Sequence, residues 1–307
     1  MIRVHTFKSK ISRVKKKGMV SIDELHGNAL FLSGGGISQA VVCTELLATL
    51  VKNGMDVTQL PFDLGGSSAG SIAIALLICG YESADVLPVF EEIYSMISFE
   101  NIFDADFLVA YRDIAEELRE CFPRLFQLTM LDAHIITGRD VVFRCSLMQS
   151  DGTLKPYAIS WRTQPRMTLA DAVYLSSSVP LLVESLSVDG VTAMDGDLTG
   201  GCLMDPSELQ IGAACGGFAA IDHLDATGLI PPLFLKALRF FYSIHLSHTH
   251  MLDAAVTNFV PTGVHGSLFP PDDETVRSWR ATGRNLATRI RFGDESGAPA
   301  TQDAARD

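Results

Sequence analysis

The sequence predicts a three-layer α/β/α sandwich domain with a mainly parallel central sheet. Two observations support this fold class: residues 28–79 contain two consecutive strand, turn and helix patterns, and 47% of the 307 residues are hydrophobic while only 20% are charged. A chain of this length and composition can bury a large core. Strands that follow one another through helices run parallel, because a helical crossover is what connects parallel neighbours.

The two units have the same order of patterns. Strand, turn and helix are predicted at residues 28–32, 33–36 and 37–53 in the first unit and at residues 60–64, 65–70 and 71–79 in the second. Apolar residues recur at helical spacing in the first helix, and the second helix is almost entirely apolar, so we expect it to be buried.

The rest of the chain alternates between helical and strand patterns. Helices are predicted at residues 83–97, 109–121 and 168–177, and strands at 141–149, 157–161, 184–188, 191–194 and within 209–221. Residues 150–152 form a turn signal that indicates a hairpin between two of these strands. A final helix is expected to begin at a cap formed by Asp272 or Asp273.

We expect one domain, residues 27–292, with a basic arm at 1–26 and a disordered tail at 293–307. The formal charge is −12, but seven of the 24 cationic residues precede the first acid, so the remainder carries 17 − 36 = −19. The negative charge of the chain outside the arm repels phosphate-rich partners, and we expect no nucleic acid partner. The arm is interpreted as a flexible solvated tail, with contact to an anionic membrane surface as the alternative.

The cysteine spacing and the lengths of the apolar segments indicate the cellular compartment. The six cysteines show neither CxxC spacing nor a His/Cys ligand pattern, which favours a reducing compartment. The sequence has no apolar secretory segment at its start and no uninterrupted run of about 18 apolar residues to span a bilayer. We therefore expect a soluble, cytoplasmic protein, peripheral at membranes if the arm binds them. Delivery into another cell and the oligomeric state stay open.

Ser68 is the predicted nucleophile. Residues 66–70 match G-x-S-x-G, a sharp strand-to-helix turn that exposes the serine hydroxyl while its glycines allow close backbone approach. The match lies between a predicted strand and a predicted buried helix, where such a turn belongs. Ser67 is the competing residue, but only Ser68 has glycine two positions before and two positions after it.

Gly34, Gly35 and Gly36 are the predicted oxyanion loop. Glycines at a helix start direct several backbone N–H groups toward one point, which suits the developing oxyanion of an ester. The N–H of Ala69, the residue after the nucleophile, would complete the hole. Nucleotide binding is a rival use of such turns, but Gln39 stands where G-x-G-x-x-G needs its last glycine and no P-loop lysine follows.

Two routes could activate the serine. In the first, Asp195, at the end of a predicted strand, acts directly on Ser68 as a dyad; in the second, an acid and a later histidine complete a triad. The candidate histidines for a triad are His223, His245, His248, His250 and His265. From the residues alone the two routes stay open.

The order of motifs resembles the patatin-like phospholipase family. A strand leading into a glycine run, then G-x-S-x-G, then Ser176-Ser177-Ser178-Val179-Pro180, then Asp195-Gly196 follow one another over residues 28–215. The resemblance implies a Ser68–Asp195 dyad, an acyl-enzyme intermediate, membrane glycerolipid esters as substrates, and no cofactor, metal or catalytic histidine.

The chain departs from the family pattern at two places. It has Ser38 and Gln39 where the family has arginine and a further glycine, and Asp197 where the family has glycine or alanine after Asp-Gly. Two carboxylates in one pocket would raise the pKa of one of them, whereas we expect the side chain of Asp197 to face solvent. The departures also leave a third hypothesis, a lipid-binding or regulatory protein whose site has lost its activity.

Three other features have simpler interpretations. The cluster of His245, His248 and His250 is interpreted as packing or surface rather than as a metal site. Residues 230–244 are interpreted as a core helix, with a membrane-contacting lid as the alternative. The serines at 176–178 are interpreted as helix-end and turn residues.

Overall fold

The computed structural model describes residues 29–85, 87–89, 109–180, 182–199, 209–212, 259–264, 266 and 272–290. Several sequence predictions lie outside these residues: the basic arm, the tail, the segment 230–244, most of the helix at 83–97, and the five histidines proposed for a triad.

The first two units have the predicted order of elements. Strand β1 (Ala29–Leu32) leads into helix α1 (Gly36–Lys52), and strand β2 (Asp63–Ser67) leads into helix α2 (Ala69–Cys79). The strand of the second unit begins three residues later than predicted. It also ends three residues later, because Gly65 and Gly66 are not part of the turn but pair with Phe31 and Leu32 of β1.

The other described elements follow in chain order. They are helices α3 (Tyr111–Cys121), α4 (Pro123–Gln127) and α5 (Met130–Thr137), strands β3 (Val141–Met148) and β4 (Leu154–Ile159), helix α6 (Leu169–Ser177), strands β5 (Ser187–Val188), β6 (Val191–Asp195), β7 (Leu209–Gly212) and β8 (Phe259–Pro261), and helix α7 (Asp273–Arg289). Short 3-10 helices occupy Val57–Gln59, Ser83–Asp85 and Gly196–Thr199. Asp272 caps α7 by accepting from the Thr275 N–H at 2.8 Å. Helices α4 and α5 and strand β8 were not predicted.

The strands form one sheet with the order β5-β6-β3-β2-β1-β7-β8, and β4 also pairs with β3. The pairs β1–β2, β1–β7, β2–β3 and β7–β8 are parallel. The pairs β3–β4, β3–β6 and β5–β6 are antiparallel, and the first of these is the predicted hairpin. The predicted fold class, α/β with a mainly parallel central sheet, is confirmed.

Strand β3 brings the ends of two other strands together. Its first half pairs with β2 as far as Ser67 opposite Arg144, and its second half pairs with β6 from Asp195 opposite Cys145. Strand β4 pairs with β3 across both regions, so β2 and β6 must share the other edge of β3. The two strands run in opposite directions and therefore meet end to end, at consecutive residues of β3.

Helices cover the centre of this sheet. Helix α1 packs against α2 and against α7, where Gly283 lies next to the Val42 carbonyl. Arg284 of α7 donates to Glu45 of α1 at 2.9 Å, beside this contact. Among the described helices, none is both long and apolar enough to cross a membrane.

Candidate active site

Ser68 lies at the turn between β2 and α2, where the sequence predicts it. Its backbone has φ 48° and ψ −121°, a conformation that residues other than glycine adopt only under strain, at a cost of about 1–3 kcal/mol. The turn is tight because Gly70 lies against the Leu32 carbonyl of β1, and any side chain at this position would overlap that oxygen. Ser68 is only 7% exposed. The geometry is that of a nucleophile elbow.

The competing residue, Ser67, is the last residue of β2 and is fully buried. Its Oγ has no hydrogen-bond partner among the described residues and lies close to Gly196, where a β-carbon would overlap it. A hydroxyl enclosed in this way cannot meet a substrate. The structure therefore favours Ser68 over Ser67.

Asp195 ends β6 and is placed beside Ser68 by the shared edge of β3. Its carboxylate accepts the N–H of Asp197 at 2.9 Å, and the Ser68 hydroxyl lies close enough to it to lower the pKa of Asp195. The side chain is 5% exposed. The residue that the sequence predicts as the base thus contacts the residue predicted as the nucleophile.

Burial raises the pKa of Asp195 well above its ordinary value, and the nearby Asp197 carboxylate raises it further. The Asp197 N–H and the Ser68 hydroxyl act in the opposite direction and are the smaller effects. A carboxylate with a raised pKa is a stronger base toward a serine hydroxyl once it is ionised. The opposite residue, Cys145, is buried too, which raises its pKa to about 12 and keeps it a thiol.

The end of helix α6 holds both residues of this pair. The Ser68 N–H donates to Ser176, at 3.0 Å to Oγ and 3.1 Å to the carbonyl oxygen. The Asp195 N–H donates to the Ser178 carbonyl at 2.9 Å, and the Ser176 hydroxyl donates to the Arg144 carbonyl at 2.6 Å. From the sequence these serines are interpreted as helix-end and turn residues. The run of three serines before Pro180 was the available signal for a further role.

The glycine loop lies directly beside Ser68. Gly35 and Gly36 have positive φ values of 147° and 68°, and Gly36 begins helix α1, which has no side-chain cap. Ala69 begins α2 at the next helix start. The first N–H groups of a helix have no acceptor within that helix, so both helix starts present donors to this region. Gly34 is so close to Ser68 that a β-carbon on Gly34 would overlap the β-carbon of Ser68.

The expectation that Asp197 faces solvent is wrong. Asp197 is only 8% exposed, and one of its carboxylate oxygens accepts the Gly34 N–H at 3.4 Å. The reason is the 3-10 helix Gly196–Thr199, which turns the chain back over the glycine loop directly after β6. The site therefore contains two adjacent buried carboxylates.

The other two residues that depart from the family pattern, Ser38 and Gln39, make hydrogen bonds in the structure. The Ser38 hydroxyl donates to the Gly35 carbonyl at 3.1 Å, within the loop that precedes α1. The Gln39 amide donates to the Cys43 sulphur at 3.2 Å and accepts from Thr262, after β8, at 3.4 Å. Both side chains thus fix the start of α1 relative to its surroundings.

Within the described residues there is no group of histidine, cysteine, aspartate and glutamate side chains that could hold a metal ion. His134 is the one histidine among the described residues. It stacks on Trp161 and lies 3.7 Å from Asp140, next to the start of β3, whereas Ser68 follows the carboxyl end of β2. His134 therefore cannot act as the base for Ser68.

The patatin-like phospholipase family model matches residues 30–202, which is more than half of the chain. Among solved structures, VipD from Legionella pneumophila is 15% identical with a TM-score of 0.48, and the match covers 86% of this chain and 66% of that chain. The ExoU–SpcU complex of the type III secretion system of Pseudomonas aeruginosa gives 15% identity, a TM-score of 0.41, and coverage of 86% and 52%. The chain thus spans between half and two thirds of those proteins. No curated protein matches it.

Proposed function

The chain belongs to the patatin-like phospholipase family, and from this premise we propose that it hydrolyses glycerolipid esters, as a phospholipase A, through a Ser68–Asp195 dyad. The observation that carries the proposal is the end-to-end meeting of β2 and β6 on β3, which brings Ser68, in the strained turn after β2, beside the buried carboxylate of Asp195. A serine hydroxyl is a weak nucleophile until an adjacent base removes its proton. Family membership supports the coarser assignment as a lipid ester hydrolase.

In the acylation step, Ser68 Oγ attacks the ester carbonyl carbon while its proton passes to Asp195. The carbonyl oxygen becomes an oxyanion, which we assign to the N–H groups of Ala69 and of the loop Gly34, Gly35 and Gly36. Donors held in place before the reaction stabilise such charge without reorganising. When the tetrahedral intermediate collapses, the carbon–oxygen bond to the alcohol breaks and Asp195 returns the proton to the leaving oxygen.

In the deacylation step, a water molecule repeats this sequence on the acyl-enzyme. Asp195 takes a proton from the water as it attacks, and returns a proton to Ser68 Oγ as the fatty acid leaves. Since one carboxylate serves as base and then as acid in each half, the chemistry requires no cofactor, metal or histidine. The raised pKa of Asp195 suits a group that must both accept and return a proton.

A fluorophosphonate ester probe, which phosphonylates activated serines, tests the nucleophile. We expect the protein to be labelled, Ser68→Ala to remain unlabelled, and Ser67→Ala to be labelled at a rate near that of the wild type. Ser67→Ala is the matched control, because it removes the neighbouring, fully buried hydroxyl. Labelling that persists in Ser68→Ala would refute the assignment.

A panel of phospholipids, lysophospholipids and triacylglycerols then tests the substrate class. Release of fatty acid from diacyl phospholipids, absent in Ser68→Ala, is the result expected of a phospholipase A.

Single substitutions of His223, His245, His248, His250 and His265 separate the dyad from a triad, because a triad would lose nearly all activity at one of them. Vesicles with and without anionic lipid test membrane binding by the basic arm.

A further inference from the structure

Asp197 occupies the position where the proposed reaction needs an empty anion site. Its carboxylate accepts the Gly34 N–H at 3.4 Å and lies so close to the Gly34 α-carbon that a β-carbon there would overlap it. The same added β-carbon would overlap that of Ser68, so the carboxylate, the glycine loop and the nucleophile surround one small volume.

We propose that Asp197 is a further residue of the catalytic centre, which fills the oxyanion site in the substrate-free enzyme and must move away before Ser68 can be acylated. This proposal rests on the proposed function, because it takes Gly34 as an oxyanion donor and Ser68 as the nucleophile. An N–H that already donates a hydrogen bond to a carboxylate cannot donate to a second anion. An oxyanion formed next to Asp197 would also be repelled by its charge.

The backbone that carries Asp197 is anchored, so the side chain is the part that moves. The Ser146 hydroxyl donates to the Asp195 carbonyl at 2.8 Å and lies 2.9 Å from the Thr199 hydroxyl, which ties both ends of the turn to β3. The Asp197 N–H stays bound to the Asp195 carboxylate at 2.9 Å. Rotation of the Asp197 side chain would release the Gly34 N–H and leave these backbone contacts intact.

The charge of Asp197 acts on the dyad as well. Asp197 is adjacent to the buried Asp195: its N–H donates to the Asp195 carboxylate at 2.9 Å, and its own carboxylate raises the pKa of Asp195. The attack neutralises Asp195 and moves the negative charge to the oxyanion, next to the Asp197 carboxylate, in a site with little water where like charges repel most strongly. Removing the Asp197 carboxylate should therefore accelerate acylation, although the residue lies inside the catalytic centre.

The test measures the rate constant of labelling by a fluorophosphonate ester, together with hydrolysis of a soluble p-nitrophenyl acyl ester. For Asp197→Ala we expect both rates to rise by about 10-fold or more, since a single oxyanion donor can change a rate by about 100-fold. Asp197→Asn should also be faster than the wild type, because it keeps the size and removes the charge; it serves if the alanine variant does not fold. Asp189→Asn, an exposed acid on the β5–β6 hairpin, is the control and should leave both rates unchanged.

Rates that are unchanged or lower in a folded Asp197→Ala or Asp197→Asn variant would overturn the proposal. The double variant Ser68→Ala/Asp197→Ala separates this outcome from failure of the proposed function. If the double variant keeps the activity of Asp197→Ala, the nucleophile has been assigned wrongly, and the role of Asp197 falls with it. If Ser68→Ala abolishes labelling in both backgrounds while Asp197→Ala gives no acceleration, the nucleophile stands and only the role of Asp197 is refuted.

Discussion

Replacing Ser176 with alanine removes the hydroxyl that holds the nucleophile from the end of α6. The Ser68 N–H would lose its bond to Ser176 Oγ at 3.0 Å and keep the one to the Ser176 carbonyl at 3.1 Å, so its support is weakened rather than lost. One hydrogen bond contributes about 1 kcal/mol net, and a loss of that size expressed in the transition state lowers the rate about fivefold. We therefore expect kcat for a soluble ester to fall about fivefold while KM changes little.

The control for this prediction is the next residue along the helix. Ser177→Ala also removes a hydroxyl that donates to the backbone, to the Val173 carbonyl at 2.7 Å, but this hydroxyl makes no described contact with Ser68. Both variants should melt at a lower temperature than the wild type, and only Ser176→Ala should lose kcat. An equal loss of kcat in the two variants, or none in Ser176→Ala, would show that Ser176 does not position the nucleophile.

Two further predictions concern the base and the turn. Asp195→Asn should lower kcat at least about 100-fold, the usual contribution of a general base. The activity of the wild type should fall as pH falls through the raised pKa of Asp195, because the base acts only when ionised. Because the pKa of Asp195 is higher in the folded than in the unfolded protein, the folded protein loses stability as pH rises from the unfolded-state pKa to the folded-state pKa. Asp195→Asn should therefore melt at a higher temperature than the wild type at neutral pH. An equal or lower melting temperature would contradict a buried, charged Asp195. Gly70→Ala should lower the melting temperature more than Gly152→Ala does. The added methyl at position 70 meets the Leu32 carbonyl, whereas at Gly152, in open space with φ 80°, it costs only about 1–2 kcal/mol of left-handed backbone strain. Similar melting temperatures for the two glycine variants would contradict the close approach of α2 and β1.

Local sequence was sufficient to predict the elements that carry the proposed dyad. The first strand and helix were predicted to within one residue, because apolar periodicity and a glycine run are local signals. Helix α5 had a signal that was overlooked: Thr129 and Asp132 form a capping box, each side chain accepting the backbone N–H of the other residue.

Tertiary contacts decided what local sequence could not predict. Strand β2 ends three residues beyond its predicted end because Gly65 and Gly66 have the local character of a turn, and only pairing with β1 on one side and β3 on the other makes them a strand. The orientation of Asp197 depends on a glycine loop 163 positions away in the chain. The bond from Ser68 to Ser176 spans 108 positions, and the serine run before Pro180 does not indicate which residue it contacts.

The shared edge of β3 limits which insertions the domain can tolerate. Ser67 is opposite Arg144 and Asp195 is opposite Cys145, so the spacing of the proposed nucleophile and base is set by consecutive residues of one strand. Sliding β6 by one residue along β3 would displace Asp195 by about 3.3 Å and turn its side chain to the other face of the sheet. The loops that connect these strands are therefore free to change in length, whereas a single residue added to β3 between positions 144 and 145 would separate the pair.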